Sequence, residues 1–119
     1  MPLDVPAPVV AEGELTAPVL YTDRFGSLVL GAEPDDLAAA FGPLAPGTPL
    51  DVAWTVPDAP GRGERIPFAE TFGGVAPGRP LLWIDSSGRL GLAVNQGSAV
   101  AVLGLAGATS ITLRAVRPA

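Results

Sequence analysis

The chain contains no cysteine, no histidine and no lysine. Without cysteine there is no disulfide framework and no thiolate nucleophile. Without histidine the usual general base and the commonest metal ligand are missing, and without lysine Schiff-base chemistry is closed. All 7 basic residues are therefore arginines, set against 12 acidic ones for a net charge of -5. No basic stripe interleaved with aromatics runs along the chain, so nothing stands ready to neutralise phosphates and no nucleic-acid partner is expected. No apolar run reaches the ~20 residues of a spanning helix, so no membrane partner is expected either. The opening segment, Met1 to Pro6, lacks the basic start and apolar core of a signal peptide, which makes the cytoplasm the default location.

What is present is a chain of 119 residues, long enough for one domain with a real core. Hydrophobic residues make up 48%, and 14 Pro and 15 Gly recur along the whole length, as many turns between short strands require. The expected class is all-β. Residues 1–13, with Pro2, Pro6 and Pro8, read as a Pro-rich extended strap and a former linker. Residues 14–119 read as the domain proper.

Leu15 to Thr22 has strand character, with Pro18 marking an edge position or a bulge. Asp23 to Ser27 interrupts it, and Leu28 to Leu30 resumes; from spacing alone, Asp23 and Gly26 are turn chemistry. Glu33 to Gly42 is a helix: Pro34 suits the first position, Asp35 and Asp36 meet the positive end of the dipole, and Gly42-Pro43 ends it. Its apolar face, Leu37, Ala40 and Phe41, is narrow, as befits a plug or lid lying against a barrel. Leu50, Val52, Trp54 and Val56 alternate with polar or small residues, the signature of a half-buried strand with Trp54 in the core. Pro57 to Gly63 then reads as a turn-rich loop, and Glu64 to Ala69 as the returning strand.

Phe72 stands beside Gly73 and Gly74, where an aromatic serves either as a packing anchor or as a platform for a flat ligand. Leu81 to Ile84 and Arg89 to Val94 pair across the hairpin signal Asp85 to Gly88. Ser98 is a candidate N-cap for a short turn through Leu103, and Ile111 to Val116 supplies a last strand. About seven strands and one short helix point to a small closed or nearly closed antiparallel β-barrel.

The loops together resemble the C-terminal domain of the S-adenosylmethionine hydroxide adenosyltransferases, the family that includes the fluorinase and chlorinase. Asp23-Arg-Phe-Gly-Ser27 is similar to the family's Asp-x-Phe-Gly-Asn. Thr71-Phe72 before Pro77-Gly78 is similar to its Thr-aromatic pair and turn. Asp85-Ser-Ser-Gly-Arg-Leu-Gly-Leu-Ala93 and Gly97 to Val100 are similar to Asn-Ser-x-Gly-x-Leu-Glu-Ile-Ala and Gly-Ser-Ala-Ala.

The resemblance implies a barrel forming one wall of a subunit-interface site for S-adenosylmethionine, while an N-terminal domain with an Asp, Arg and His set prepares water to attack the ribose C5′. It assigns Asp23 to the substrate ammonium, Ser86 to its carboxylate, Phe72 to stacking on adenine and Phe25 to the pocket edge. The backbones of Val94 and Gln96 would read the adenine edge. Ser27 and Asp85 replace asparagines at the site, Ser87 and Val94 stand where the fluorinase has Arg, and Gly91 replaces a Glu. The implied partners are S-adenosylmethionine or adenosine, a catalytic N-terminal domain absent from this chain, and further copies of the chain, as in a trimer. No residue is nominated as catalytic or as a metal ligand, and no cofactor is expected beyond the substrate. Two other readings stay open: a stand-alone module that binds an adenosyl compound without chemistry, and a self-associating structural barrel whose site has degenerated.

Overall fold

The computed structural model describes residues 7–57 and 59–116. Eight strands and two helices follow in chain order: β1 (Val9–Ala11), β2 (Glu14–Thr22), β3 (Leu28–Leu30), α1 (Pro34–Phe41), β4 (Pro49–Val56), β5 (Ala59–Pro67), β6 (Pro80–Ile84), β7 (Leu90–Val94), α2 (Ala99–Leu103) and β8 (Ser110–Ala115). Seven strands lie on one antiparallel path, β5-β4-β8-β2-β3-β7-β6. A bridge between Phe68 and Leu82, with the Ala69 N–H donating to the Leu82 carbonyl at 2.8 Å, ties the two ends of that path. The result is the nearly closed seven-strand barrel that the strand count predicts.

β2 carries the barrel from one half to the other. Its first part, Glu14 to Pro18, pairs with β8, while Val19 to Thr22 pairs with β3, and the register slips between Val19 and Tyr21. Pro18 stands just before the slip, where a missing N–H does least harm to a ladder. The added bend and twist of such an irregularity let one strand serve both sheet halves. The lead-in contributes as well: Val9–Ala11 pairs with Thr16 to Glu14, and residues 1–6 of the expected strap lie outside the described residues.

Alternation fills the interior. Leu15, Leu30, Leu50, Ile66, Leu82 and Leu113 are each at most 2% exposed and belong to one cluster. Trp54 joins that cluster as its spacing predicts, although its indole N–H is buried without a partner among the described residues. Helix α1 closes one end. The Asp36 carboxylate accepts the Glu33 N–H at 2.8 Å, fixing the first turn, Leu37 and Ala40 enter the core, and the Gly13 N–H donates to the Ala40 carbonyl.

One expectation is corrected. Pro57 is in a turn as expected and Asp58 lies outside the described residues, but 59–63 are strand and not loop: the ladder to β4 begins at Ala59, opposite Val56, and runs on through Arg62 opposite Trp54 to Pro67. Gly61 and Gly63 are tolerated because β5, among the described residues, has a ladder partner along one side only, where a missing side chain costs little.

Candidate functional site

The cleft lies on the outer face of the β2-β3-β7-β6 half. Leu28 and Leu30 point into the core, so Ser27 and Val29 face the other way. On β6 and β7 the inward residues are Leu82, Leu90 and Leu92, and the outward ones, Leu81 and Ala93, form a second small cluster with Phe72, Val75 and Trp83. Above this face is a cleft of about 330 Å³ bounded by Tyr21, Asp23, Val29 and Trp83, with Asp85, Ser86 and Ser87 along one side. A second lobe of about 410 Å³ is lined by Val94, Asn95, Gln96 and Gly97. The lobes meet at Phe25, Ser27 and Phe72, which line both. All the residues nominated from sequence therefore border one continuous depression, although they come from four separate segments of the chain.

Two of those loops are built alike. The Asp23 carboxylate oxygen Oδ1 accepts the N–H groups of Phe25 (2.8 Å) and Ser27 (3.0 Å), and the Gly26 N–H donates to the Asp23 carbonyl. Asp85 Oδ1 likewise accepts the N–H groups of Ser87 (2.8 Å) and Arg89 (3.2 Å), and the Ser87 hydroxyl besides, while the Gly88 N–H donates to the Asp85 carbonyl. Each turn needs a left-handed residue, supplied by Gly26 (φ 82°) and Gly88 (φ 83°). So turn chemistry and cleft lining are the same residues: each aspartate spends Oδ1 on its own loop, and its second oxygen takes no hydrogen bond among the described residues. Burial pulls the Asp85 pKa upward, but the Ser87 hydroxyl, the Arg89 and Ser87 amides and the Arg89 charge outweigh it and leave the carboxyl below its ordinary value.

The aromatics are set by packing. Phe72 opens a one-turn 3-10 segment, Phe72–Gly74, and meets Trp83 edge-on, with ring centroids 4.8 Å apart and planes at 66°. It is thus a packing anchor that stays only partly buried and borders the cleft. Phe25 is 66% exposed at the rim, with the Arg24 guanidinium carbon 5.0 Å from its ring centre. Ser27 is almost fully buried at the junction of the lobes. Val94 packs in the core, while Gln96, which lines the second lobe, has φ 57°, the left-handed region unusual for a residue with a side chain.

Sequence reasoning missed Tyr21, Trp83, Val29 and Asn95 as cleft residues. Tyr21 and Val29 were detectable from period two, because they share a face with Asp23 and Ser27. Trp83 and Asn95 were not, because their placement depends on the loop folded over them. Asn95 holds that loop: its side-chain amide donates to the Val75 carbonyl at 2.9 Å, and its backbone exchanges bonds with Gly78 and Arg79. Gly91 also acquires a reason. A Cβ there would stand 2.7 Å from Trp83 Nε1, so the indole can lie across β7 only if residue 91 has no side chain.

Another depression, of about 430 Å³, lies on the far half of the barrel over Ala53, Gly63 and Thr112, and gathers none of the motif residues. Among the described residues no group of three or more acidic, His or Cys side chains is placed to hold a metal ion, and no helix is long and apolar enough to cross a membrane.

Comparison with known proteins gives a consistent answer. The sequence model of the SAM hydroxide adenosyltransferase C-terminal domain matches residues 17–112. The chain is 38% identical over 106 residues to the (R)-S-adenosyl-L-methionine hydrolase of Salinispora tropica, covering 85% of this chain and 34% of that enzyme. A shorter match, 49% identical over 43 residues, is to the (R)-S-adenosyl-L-methionine hydrolase of Thermus thermophilus, covering 36% of this chain and 17% of that enzyme. Among solved structures, an uncharacterized conserved protein from Thermotoga maritima superposes with a TM-score of 0.78 at 26% identity, over 94% of this chain and 40% of its own. A conserved hypothetical protein from Thermus thermophilus gives 0.60 at 29% identity, over 92% and 38%. The chain thus spans about a third of the length of the Salinispora enzyme it matches, and it belongs to the SAM hydroxide adenosyltransferase C-terminal domain family.

Proposed function

We propose that this chain is the substrate-binding barrel of an adenosine-forming S-adenosylmethionine hydrolase. The observation that carries the reading is the convergence of the three motif loops, around Asp23, Phe72 and Asp85, on one continuous cleft. In the proposed reaction a water oxygen bonds to the ribose C5′ while the C5′–sulfur bond breaks. The electron pair leaves with methionine, and the water gives up a proton. Nothing in this chain is suited to prepare that water, since it has no histidine and Asp23 is committed to its loop and to the ligand. Its residues bind and orient.

Asp23 Oδ2 accepts from the substrate ammonium, a charge-assisted bond worth about 1.5–3 kcal/mol if desolvated. The Ser86 hydroxyl donates to the substrate carboxylate, next to an Asp85 whose charge is partly satisfied by its own loop. Phe72 stacks on adenine for about 1–3 kcal/mol, by analogy with base stacking in single-strand binders. Peptide groups of Val94 and Gln96 meet the adenine edge, and Phe25 covers it.

The cleft is open, and Phe25 and Tyr21 are 66% and 52% exposed at its rim, so a second surface completes it. That surface is the family's catalytic domain or another copy of the chain. Calorimetric titration of S-adenosylmethionine and adenosine into the chain, repeated with Asp23→Ala and Phe72→Ala, tests the reading. Binding that falls in both variants supports it. If neither compound binds at millimolar concentration, even after the catalytic domain of a relative is added, the barrel has kept its fold without this task.

A further inference from the structure

We infer that Trp83 recognises the positive sulfur of the ligand, so that the cleft selects a sulfonium over the corresponding neutral thioether. The inference rests on the adenosyl reading and names the part of the substrate that Trp83 meets.

Three observations converge on it. The first is that Trp83 is held in place from two sides. It is the ladder partner of Gly91 across β6 and β7, its pyrrole edge lies where a Cβ of residue 91 would be, and Phe72 meets it edge-on at 4.8 Å. An indole fixed in this way loses little rotamer freedom when a ligand arrives. The second is the company it keeps. Tyr21, Phe25, Phe72 and Trp83, more than half of the chain's aromatic residues, border the same cleft. The third is charge. Asp23 and Asp85 line this cleft and no basic side chain is among its described lining residues.

Aromatic faces beside carboxylates, in a cleft with no basic side chain among its described lining residues, favour a cation that is poorly hydrated. A sulfonium is of that kind: its charge is spread over three carbon substituents, it has no N–H to satisfy, and it sits against the negative face of an indole as a quaternary ammonium does. A neutral thioether of nearly the same shape gains only dispersion there. The ammonium of the ligand needs a carboxylate acceptor instead, so the two positive groups are read by different residues.

The test uses the ¹⁵N-labelled chain, whose two tryptophans give two indole N–H signals. One belongs to Trp54 in the core and the other to Trp83 in the cleft, assigned with Trp83→Phe. The ligands are S-adenosylmethionine, S-adenosylhomocysteine, S-methylmethionine, methionine and adenosine. The Trp83 signal is expected to move with both sulfonium compounds, at concentrations roughly two- to thirty-fold lower than with their neutral counterparts. Followed by calorimetric titration, which does not need the indole signal that these variants lose, Trp83→Leu should erase that preference while adenosine still binds, and Trp83→Phe should keep part of it. An unmoved Trp54 signal certifies the fold of each variant. Equal affinity for charged and neutral sulfur in the wild type, or a preference that survives in Trp83→Leu, overturns the inference and leaves the adenosyl reading standing. A Trp83 response to S-methylmethionine with none to either adenosine or S-adenosylmethionine overturns the adenosyl reading and keeps the sulfonium site. Silence with every ligand, also after the catalytic domain of a relative is added, overturns both.

Discussion

Trp83 and Gly91 face each other across the β6-β7 ladder, and the indole occupies the space a side chain at 91 would need, with Nε1 2.7 Å and Cδ1 3.0 Å from where a Cβ would sit. An aromatic laid over a cross-strand glycine covers exposed backbone and fixes the ring at once. Gly91→Ala should therefore destabilise the barrel by about 1–3 kcal/mol through overpacking, read from the midpoint of urea unfolding. The clash is with one side chain only, so the double variant with Trp83→Leu should be no less stable than Trp83→Leu alone. Simple additivity of the two changes would mean that residue 91 collides with something else.

Asp23 holds its loop and, as proposed, the ligand, and the two roles can be separated. Asp23→Asn keeps an oxygen in the place of Oδ1, so the bonds from Phe25 and Ser27 survive and stability should change by less than about 0.5 kcal/mol. Ligand affinity should fall roughly tenfold or more, because the charge that meets the ammonium is gone. Asp23→Ala should lose affinity and about 1–2 kcal/mol of stability together. If Asn binds as well as Asp, the carboxylate is a turn residue and nothing else.

Asp85 ties stability to pH in a stated direction. Its folded pKa lies below the ordinary 3.8 because its hydrogen bonds and the Arg89 charge overcome the opposing effect of burial. Between the folded and unfolded values the unfolded chain holds more protons. The stabilisation is thus present above about pH 3.8 and disappears as the pH falls through the folded value. Urea midpoints at pH 6 and pH 2.5 should differ less in Asp85→Asn than in the wild type. The same difference in both would show that this carboxylate gains nothing on folding.

The sequence made the barrel legible because its strands alternate: Leu50, Val52 and Trp54 announce an inward face that the structure keeps. It misled at 59–63, where proline and glycine mark a turn in a central strand but are tolerated on β5. The loop aspartates were visible as turn formers, since Asp-x-x-Gly needs only local geometry. The partnership of Trp83 with Gly91 and Phe72 was not, because it depends on β6-β7 register and on a loop folded back from Phe72. The same holds for Asn95, whose partner Val75 is far off along the chain.

Asn95 is the clamp on that loop. Its side-chain amide reaches the Val75 carbonyl at 2.9 Å, next to the 3-10 turn that presents Phe72, while its own carbonyl and N–H hold Gly78 and Arg79. Asn95→Ala cuts only the first of these, so the barrel should survive with a loss of about 1 kcal/mol. The local effect should be larger than the global one. The Gly74 and Val75 N–H groups, which donate to Thr71 and Phe72, should exchange with solvent faster, whereas amides in β2 and β8 should follow only the small global change. Adenosine affinity should drop several-fold through the displaced Phe72, with the Asp23 loop unaltered. Uniformly faster exchange would instead make Asn95 a filler of the interior, and Phe72 would then owe its position to Trp83 alone.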